Sequence, residues 1–92
     1  MDRRTFLRGD WHGDSAEIAS ILVQARPDRL DDVADTIAAL DGAEIYSRDP
    51  KGKLIVVIEA PDVGAIGAVL NRIALLPSVL SASLVFHATD AA

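Results

Sequence analysis

The residue types that could carry out chemistry in this chain are few, and their spacing argues against a catalytic centre. There is no cysteine, which excludes disulfides and thiolate nucleophiles. The two histidines, His12 and His87, stand in no metal-ligand spacing. Alternation along a strand places Ser83 and His87 on the same face, but four strand residues separate them by roughly 13 Å. That distance is too long for a nucleophile and its general base.

Two further groups of residues permit a chemical interpretation and a simpler one. Gly64 and Gly67 lack the spacing of a phosphate-binding loop, and no lysine follows them. The first predicted helix carries four aspartates, Asp28, Asp31, Asp32 and Asp35. Paired catalytic carboxylates require a cleft that shifts their pKa values, and an exposed helix face offers none. We interpret this face as solvated, with a secondary patch for arginine-rich ligands as the alternative, and we predict no enzymatic activity, metal or cofactor.

Length, composition and charge limit the remaining functions. A chain of 92 residues fits one domain, and its hydrophobic content of 50% favours a folded core. The longest apolar run, 54–58, is far shorter than the ~18–20 residues of a membrane span. The net charge is −5, but the first eight residues hold three arginines and one aspartate, so the rest of the chain carries −7. That body repels nucleic acid and anionic membranes and attracts a basic partner, unless its acidity only aids solubility.

The predicted elements follow from apolar periodicity and from turn residues. Strands are predicted at 18–25, 43–48, 53–60 and 79–87. One helix begins at Pro27 and ends near Gly42, and a second begins after Asp62 and ends before Pro77. The turn at 49–52 joins the two middle strands as a hairpin. Residues 1–16 are predicted to form a flexible tail, 17–88 the folded domain and 89–92 a short C-terminal tail.

The order strand-helix-strand-strand-helix-strand predicts an α+β fold, the ferredoxin-like βαββαβ sandwich. Two right-handed crossovers on either side of a hairpin produce a four-stranded antiparallel sheet with both helices on one face. Because side chains alternate along a strand, the sequence also predicts which of them face the helices. They are Ile21, Val23, Leu54, Val56, Ile58, Leu80, Ala82, Leu84 and Phe86. In the first strand, Ile18 and Leu22 are the alternative core residues.

The opposite face of this sheet carries no helices and is the candidate binding surface. The residues predicted to bind a peptide there are Ser20, Leu22, Gln24, Ile55, Val57, Glu59, Ser81, Ser83 and Val85, and His87 is predicted on the same side. A solvated face would carry lysine, glutamate and threonine at most positions, whereas this one has few charges and several branched apolar residues. The pattern indicates contact with another molecule. Homodimerisation from sheet to sheet and a harmless apolar surface are the alternatives.

Three segments of the chain form a distinctive combination. They are IASILVQARP at 18–27 with the acidic helix that follows, DPKGKL at 49–54, and LPSVLSASLVFH at 76–87. Taken together, and in register over residues 17–87, they resemble the NapD family, the assembly chaperones of periplasmic nitrate reductase.

This resemblance implies a ferredoxin-like fold and a cytoplasmic protein that binds the twin-arginine signal peptide of the reductase's catalytic subunit. Binding delays export until the molybdenum cofactor and the iron–sulfur cluster are in place, and the chaperone itself carries neither. The resemblance also implies that the peptide docks as a helix against the sheet, which agrees with the candidate surface. The alternatives are a dimeric small-molecule-sensing module and a dimerisation module of the same fold.

The arginine-rich start of the chain, DRRTFLR at 2–8, resembles the twin-arginine export motif itself. The residues after it are polar and no apolar segment follows, so we predict that this chain is not exported. The segment is either a chance basic tail or a pseudo-ligand that occupies the chaperone's own site, in cis or across a homodimer. The residues that would mimic the client are Arg3, Arg4, Phe6 and Leu7.

Overall fold

Four strands and two helices lie within residues 16–90, the part of the chain that this computed structural model describes. The strands are β1 Ala16–Ala25, β2 Ala43–Asp49, β3 Lys53–Ala60 and β4 Val79–Asp90. The helices are α1 Leu30–Ala38, which follows a 3-10 turn at Pro27–Arg29, and α2 Val63–Ala74. The last strand therefore extends beyond its predicted end at His87.

The four strands form one antiparallel sheet in the order β2-β3-β1-β4. β1 and β3 occupy the centre and pair without a register shift from Glu17↔Ala60 to Gln24↔Lys53. The hairpin of β2 and β3 forms one side of the sheet, and β4 forms the opposite edge. The predicted ferredoxin-like α+β fold is confirmed.

The hydrophobic core lies between the sheet and the two helices. From β1 and β3 it contains the fully buried Ile21, Val23, Leu54, Val56 and Ile58, as alternation predicts. The helices add Leu30, Val33, Ala34 and Ile37 from α1 and Ile66 and Ile73 from α2. Each fully buried Val, Leu or Ile side chain contributes about 1.5–3 kcal/mol of transfer free energy. Because residues of both helices pack against the same side chains of β1 and β3, both helices cover the same face of the sheet. Neither helix covers the opposite face.

Local polar contacts fix where the helices begin and how they sit. The Asp62 carboxylate accepts a hydrogen bond of 2.7 Å from the Ala65 backbone N–H, which confirms Asp62 as the N-cap of α2. Pro27 occupies the first position of the 3-10 turn, where its missing N–H costs nothing. On the surface, the Arg48 guanidinium of β2 donates to the Asp31 carboxylate of α1 at 2.7 Å. This ion pair joins the first helix to the edge strand beneath it.

Two glycines permit close contacts between loops and strands. Gly42 and Gly52 have φ angles of +80° and +111°, which L side chains rarely adopt. The Gly52 carbonyl accepts a hydrogen bond of 2.7 Å from the Ala25 N–H, and the Gly42 carbonyl accepts one of 2.9 Å from the Glu59 N–H. A Cβ atom at either glycine would overlap the backbone carbonyl oxygen of that same partner. The two loops therefore depend on the absence of a side chain.

Replacing Gly52 by alanine tests this dependence. We expect Gly52→Ala to lower the free energy of unfolding by at least about 2 kcal/mol, because the backbone must leave its conformation or lose the bond to Ala25. Gly67 is the matched control: it lies on α2, and a Cβ there meets no atom within 4 Å. Gly67→Ala should raise the free energy of unfolding by up to about 1 kcal/mol. Urea unfolding of both variants measures the difference, and equal effects would contradict it.

Candidate functional site

The helix-free side of the sheet brings most of the predicted binding residues together. Leu22 lies between Ile55 on β3 and Ser83 on β4, and Ser20 lies opposite Val57. Residues directly opposite one another in a sheet share a face, so the cross-strand register defines this surface. We call it the open face, and its residues are Ile18, Ser20, Leu22, Gln24, Glu44, Ser47, Asp49, Lys53, Ile55, Val57, Glu59, Ser81, Ser83, Phe86 and Ala88.

A β-bulge in β4 changes which of its residues reach the open face. Ile21 lies opposite Leu84, but the preceding residue, Ser20, lies opposite Phe86, so Val85 is an extra residue with no partner on β1. Phe86 therefore lies on the open face, and its predicted position against the helices is wrong. Val85 is 62% exposed, and the register does not assign it to the surface formed by the other predicted residues.

The same bulge moves His87 to the helix side of the sheet. His87 lies opposite the fully buried Ala19, whereas Ser83 lies opposite Leu22 on the open face. The prediction that Ser83 and His87 share a face is therefore wrong, because the extra residue between them reverses the alternation. Their separation on opposite faces strengthens the argument against a nucleophile–base pair.

Three other residues of β4 that were predicted to face the helices differ in their burial. Leu84 lies on the helix side as predicted, but it remains 50% exposed since no further strand continues the sheet beside it. Leu80 lies at a second register irregularity, between the pairs of Gln24 and Ala25, and is 68% exposed rather than buried. Ala82, opposite Val23, packs against the core as predicted.

Exposure varies across the open face. Val57 and Glu59 are each only 6% exposed, while Ser20, Leu22 and Ile55 are half-buried. Two of the residues predicted to bind a peptide, Val57 and Glu59, are therefore buried, although Ile55 on the same strand is only half-buried. Gln24, Ser81 and Ser83 are exposed, as predicted.

The charges of the open face are separated along its length. Glu44 lies opposite Val57, which makes it the diagonal neighbour of Glu59 on the adjacent strand. These two carboxylates mark one end of the face, and at the other end Lys53 lies opposite Asp49, so the opposite charges balance there. The half-buried Leu22 and Ile55 lie between them. The surface is thus an apolar strip with an acidic end, at which Glu44 is exposed and Glu59 is buried.

The remaining candidate groups do not form a competing site. Asp28 and Asp32 lie 3.6 and 3.4 Å from the guanidinium groups of Arg26 and Arg29, and Asp31 is bonded to Arg48. The aspartates of the first helix are exposed, in line with the interpretation as a solvated face. Within residues 16–90, no three His, Asp or Glu side chains are grouped to hold a metal ion. A surface cavity of about 340 Å³ lies between α1 and the loop before β4, and no residue of the open face lines it.

A family model described as NapD protein matches residues 16–91 of the chain. The chain belongs to the NapD family. Chaperone NapD of Escherichia coli K12 is 35% identical over 72 residues, which cover 77% of this chain and 83% of the relative. Chaperone NapD of Paracoccus pantotrophus is 36% identical over 93 residues, covering 95% and 82% of the two chains. An alignment of that extent necessarily reaches into residues 1–15.

A solved member of the NapD family has the same fold. The solution structure of the E. coli Tat proofreading chaperone protein NapD superposes with a TM-score of 0.77 at 32% identity. The superposition covers 83% of this chain and 81% of the other.

As for membrane insertion, none of the helices between residues 16 and 90 has the length and hydropathy of a transmembrane span. Arg3, Arg4, Phe6 and Leu7, the predicted pseudo-ligand, lie outside the described residues.

In this NapD-family chain, a polar cluster on the helix side joins the start of β1 to the end of β4. Glu17 is only 8% exposed, and its Oε1 lies 2.6 Å from His87 Nε2. The Thr89 hydroxyl donates to both carboxylate oxygens, at 3.0 and 3.1 Å. This cluster could not be predicted from strict alternation, which places His87 on the opposite face from Glu17. The cluster stabilises the strand pairing beyond the bulge.

Removing the histidine measures how much this cluster contributes. We expect His87→Ala to lower the free energy of unfolding by about 1–2 kcal/mol, because a nearly buried carboxylate loses its closest partner. Ser83→Ala, on the same strand but exposed, should change it by no more than about 0.5 kcal/mol. Urea unfolding monitored by circular dichroism gives both values. A loss no larger for His87→Ala than for Ser83→Ala would contradict the assignment.

Proposed function

We propose that this chain is a cytoplasmic chaperone that binds the twin-arginine signal peptide of the periplasmic nitrate reductase catalytic subunit on its open face. Binding delays export of that subunit until its cofactors are inserted. The observation that carries the proposal is the apolar strip with an acidic end, in a chain of the NapD family. The similar E. coli structure is that of a Tat proofreading chaperone, which supports the same class of ligand.

The chemistry of the ligand matches the order of groups on the open face. A twin-arginine signal peptide presents arginines followed by an apolar stretch. Arginines placed near Glu44 and Glu59 leave the apolar stretch over Leu22 and Ile55, in the middle of the sheet. A net charge of −7 outside the first eight residues raises the rate of encounter with a basic peptide. Selection of the client requires binding alone, so we infer that the chain acts without catalysis.

Titration with a labelled client signal peptide tests the proposal. The same change, leucine to glutamine, is made separately at a leucine on the open face and at a control leucine. We expect Leu22→Gln to weaken binding at least about tenfold, because it places an amide in the centre of the apolar strip. Leu75 is the matched control, since it lies at the end of α2, away from the open face, and is 75% exposed. Leu75→Gln should leave the affinity unchanged.

Other outcomes separate the alternatives. No heat or anisotropy change with the peptide would reject the proposal and favour a small-molecule or dimerisation module. Peptide affinity that falls as protein concentration rises would indicate a homodimer that buries the open face. Equal affinity of the Leu22→Gln variant and the unmodified chain for the peptide would show that the peptide binds at another site.

We also propose that the N-terminal segment competes with the client for this face. The segment carries Arg3 and Arg4 followed by Phe6 and Leu7, the same order of charge and apolar groups that the open face fits. It precedes Ala16, the first residue of a central strand of the same sheet. A competitor on the same chain keeps weak or incorrect peptides out until the client displaces it.

Deleting residues 1–12 tests the competition by calorimetry. We expect the shortened chain to bind the client signal peptide about three- to tenfold more tightly, because no internal competitor has to leave. Replacing Arg3 and Arg4 by glutamine in the full chain should give most of the same gain, while Arg8→Gln should give little. Client affinity that is unchanged by the deletion would disprove the competition but leave peptide binding itself intact.

A further inference from the structure

The two edges of the sheet differ in how well they are protected against pairing with another strand. β2 is seven residues long, carries Glu44, Arg48 and Asp49, and has an extra residue, Tyr46, at its own bulge. Charges and short length discourage strand addition, whereas a bulge is present on both edge strands and does not distinguish them. β4 is twelve residues long, and from Val79 to Thr89 it contains no Lys, Arg, Asp, Glu or Pro. Only β4 offers a long uncharged edge.

Exposed apolar side chains are concentrated on this edge strand. Among the described residues, seven large hydrophobic side chains are exposed, and four of them belong to β4. They are Leu80, Leu84, Val85 and Phe86, which are 50–68% exposed. Within residues 16–90, β4 has a neighbouring strand on one side only, so no described strand pairs with the backbone groups on its outer side. An exposed edge of this kind is suited to contact with another strand.

The charge of the molecule is distributed so that this edge carries little of it. α1 packs over β2, and α2 packs over β4. α1 contains Asp31, Asp32 and Asp35 and no basic residue, while the one charged residue in α2 is Arg72. Two copies of this acidic chain can therefore approach through β4 with much less repulsion than through β2. A twin-arginine peptide, by contrast, is attracted to the acidic end of the open face.

We propose that β4 pairs antiparallel with β4 of a second copy of this chain across a two-fold axis. Such an interface is self-complementary, since each strand contributes the same residues to it. The two sheets become one sheet of eight strands, and the apolar side chains near Val85 on the two copies come together. The open faces then lie side by side, with Phe86 of each copy near the seam. The dimer uses the edge of the sheet and leaves the open face accessible to a peptide.

Sedimentation of the full-length chain over a wide concentration range tests the dimer, with a matched pair of variants. Val85 and Tyr46 are both exposed apolar residues at a bulge on an edge strand, one on each edge. We expect Val85→Lys to raise the dissociation constant of the dimer at least about tenfold, because it places two like charges at the seam. Tyr46→Lys should leave that constant unchanged.

Single cysteines locate the two-fold axis directly, because the chain contains no cysteine of its own. Cysteine is introduced one position at a time from 80 to 86 under mild oxidation. Antiparallel pairing predicts that disulfide-linked dimers form at the position closest to the axis, where two Cα atoms come within roughly 4.4–6.8 Å. Tyr46→Cys on the other edge should remain monomeric.

Three results would overturn the inference. The first is a chain that stays monomeric at every concentration, and the second is a dimer that Tyr46→Lys weakens while Val85→Lys does not. The third is a monomer in which Val85→Lys abolishes binding of the labelled signal peptide, which would assign the edge to the peptide. A β4 dimer that persists although no signal peptide binds would uphold the inference and count against the proposed function alone.

Discussion

The unbroken pairing of β1 with β3 is the constraint on which both surfaces of the sheet depend. The register runs without a shift from Glu17↔Ala60 to Gln24↔Lys53, so side chains alternate strictly on the two central strands. The same alternation sends Ile21 and Val56 into the core and leaves Leu22 and Ile55 on the open face. A slip of one residue would exchange the two sets. Such a slip is unfavourable because it would expose the core side chains to water. For the same reason, the residues that lie on the open face are fixed.

The central strands and the helices could be predicted from the sequence because each obeys one simple period. The buried residues of β1 and β3 follow the period of two, and the N-cap at Asp62 follows from side-chain chemistry at the helix start. β4 could not be predicted in the same way. Its extra residue is an ordinary valine in an apolar run, and a bulge at such a position leaves no signal in the sequence. The predicted faces of Phe86 and His87 are both wrong because of that one residue.

The burial of Val57 and Glu59 and the contact between Glu17 and His87 depend on tertiary structure alone. Seventy residues separate the histidine from its glutamate, and only the end of the β1–β4 pairing brings them together. The difference in charge between the two edges of the sheet also depends on tertiary structure. Acidic residues collect around α1 and β2, and uncharged ones around α2 and β4. The fold turns a modest overall charge into one acidic half and one apolar half, so a small domain presents two surfaces of different chemistry.

The bulge at Val85 also has a consequence for how this sequence can vary over evolutionary time. Deleting a single residue there would restore strict alternation in β4. Phe86 would leave the open face and His87 would leave Glu17 in one event, even though neither residue had been substituted. A substitution at position 85 thus leaves the register of β4 intact, whereas a change of chain length there does not. In descendants of this sequence, insertions and deletions should accumulate in the loops and be absent from the middle of the last strand.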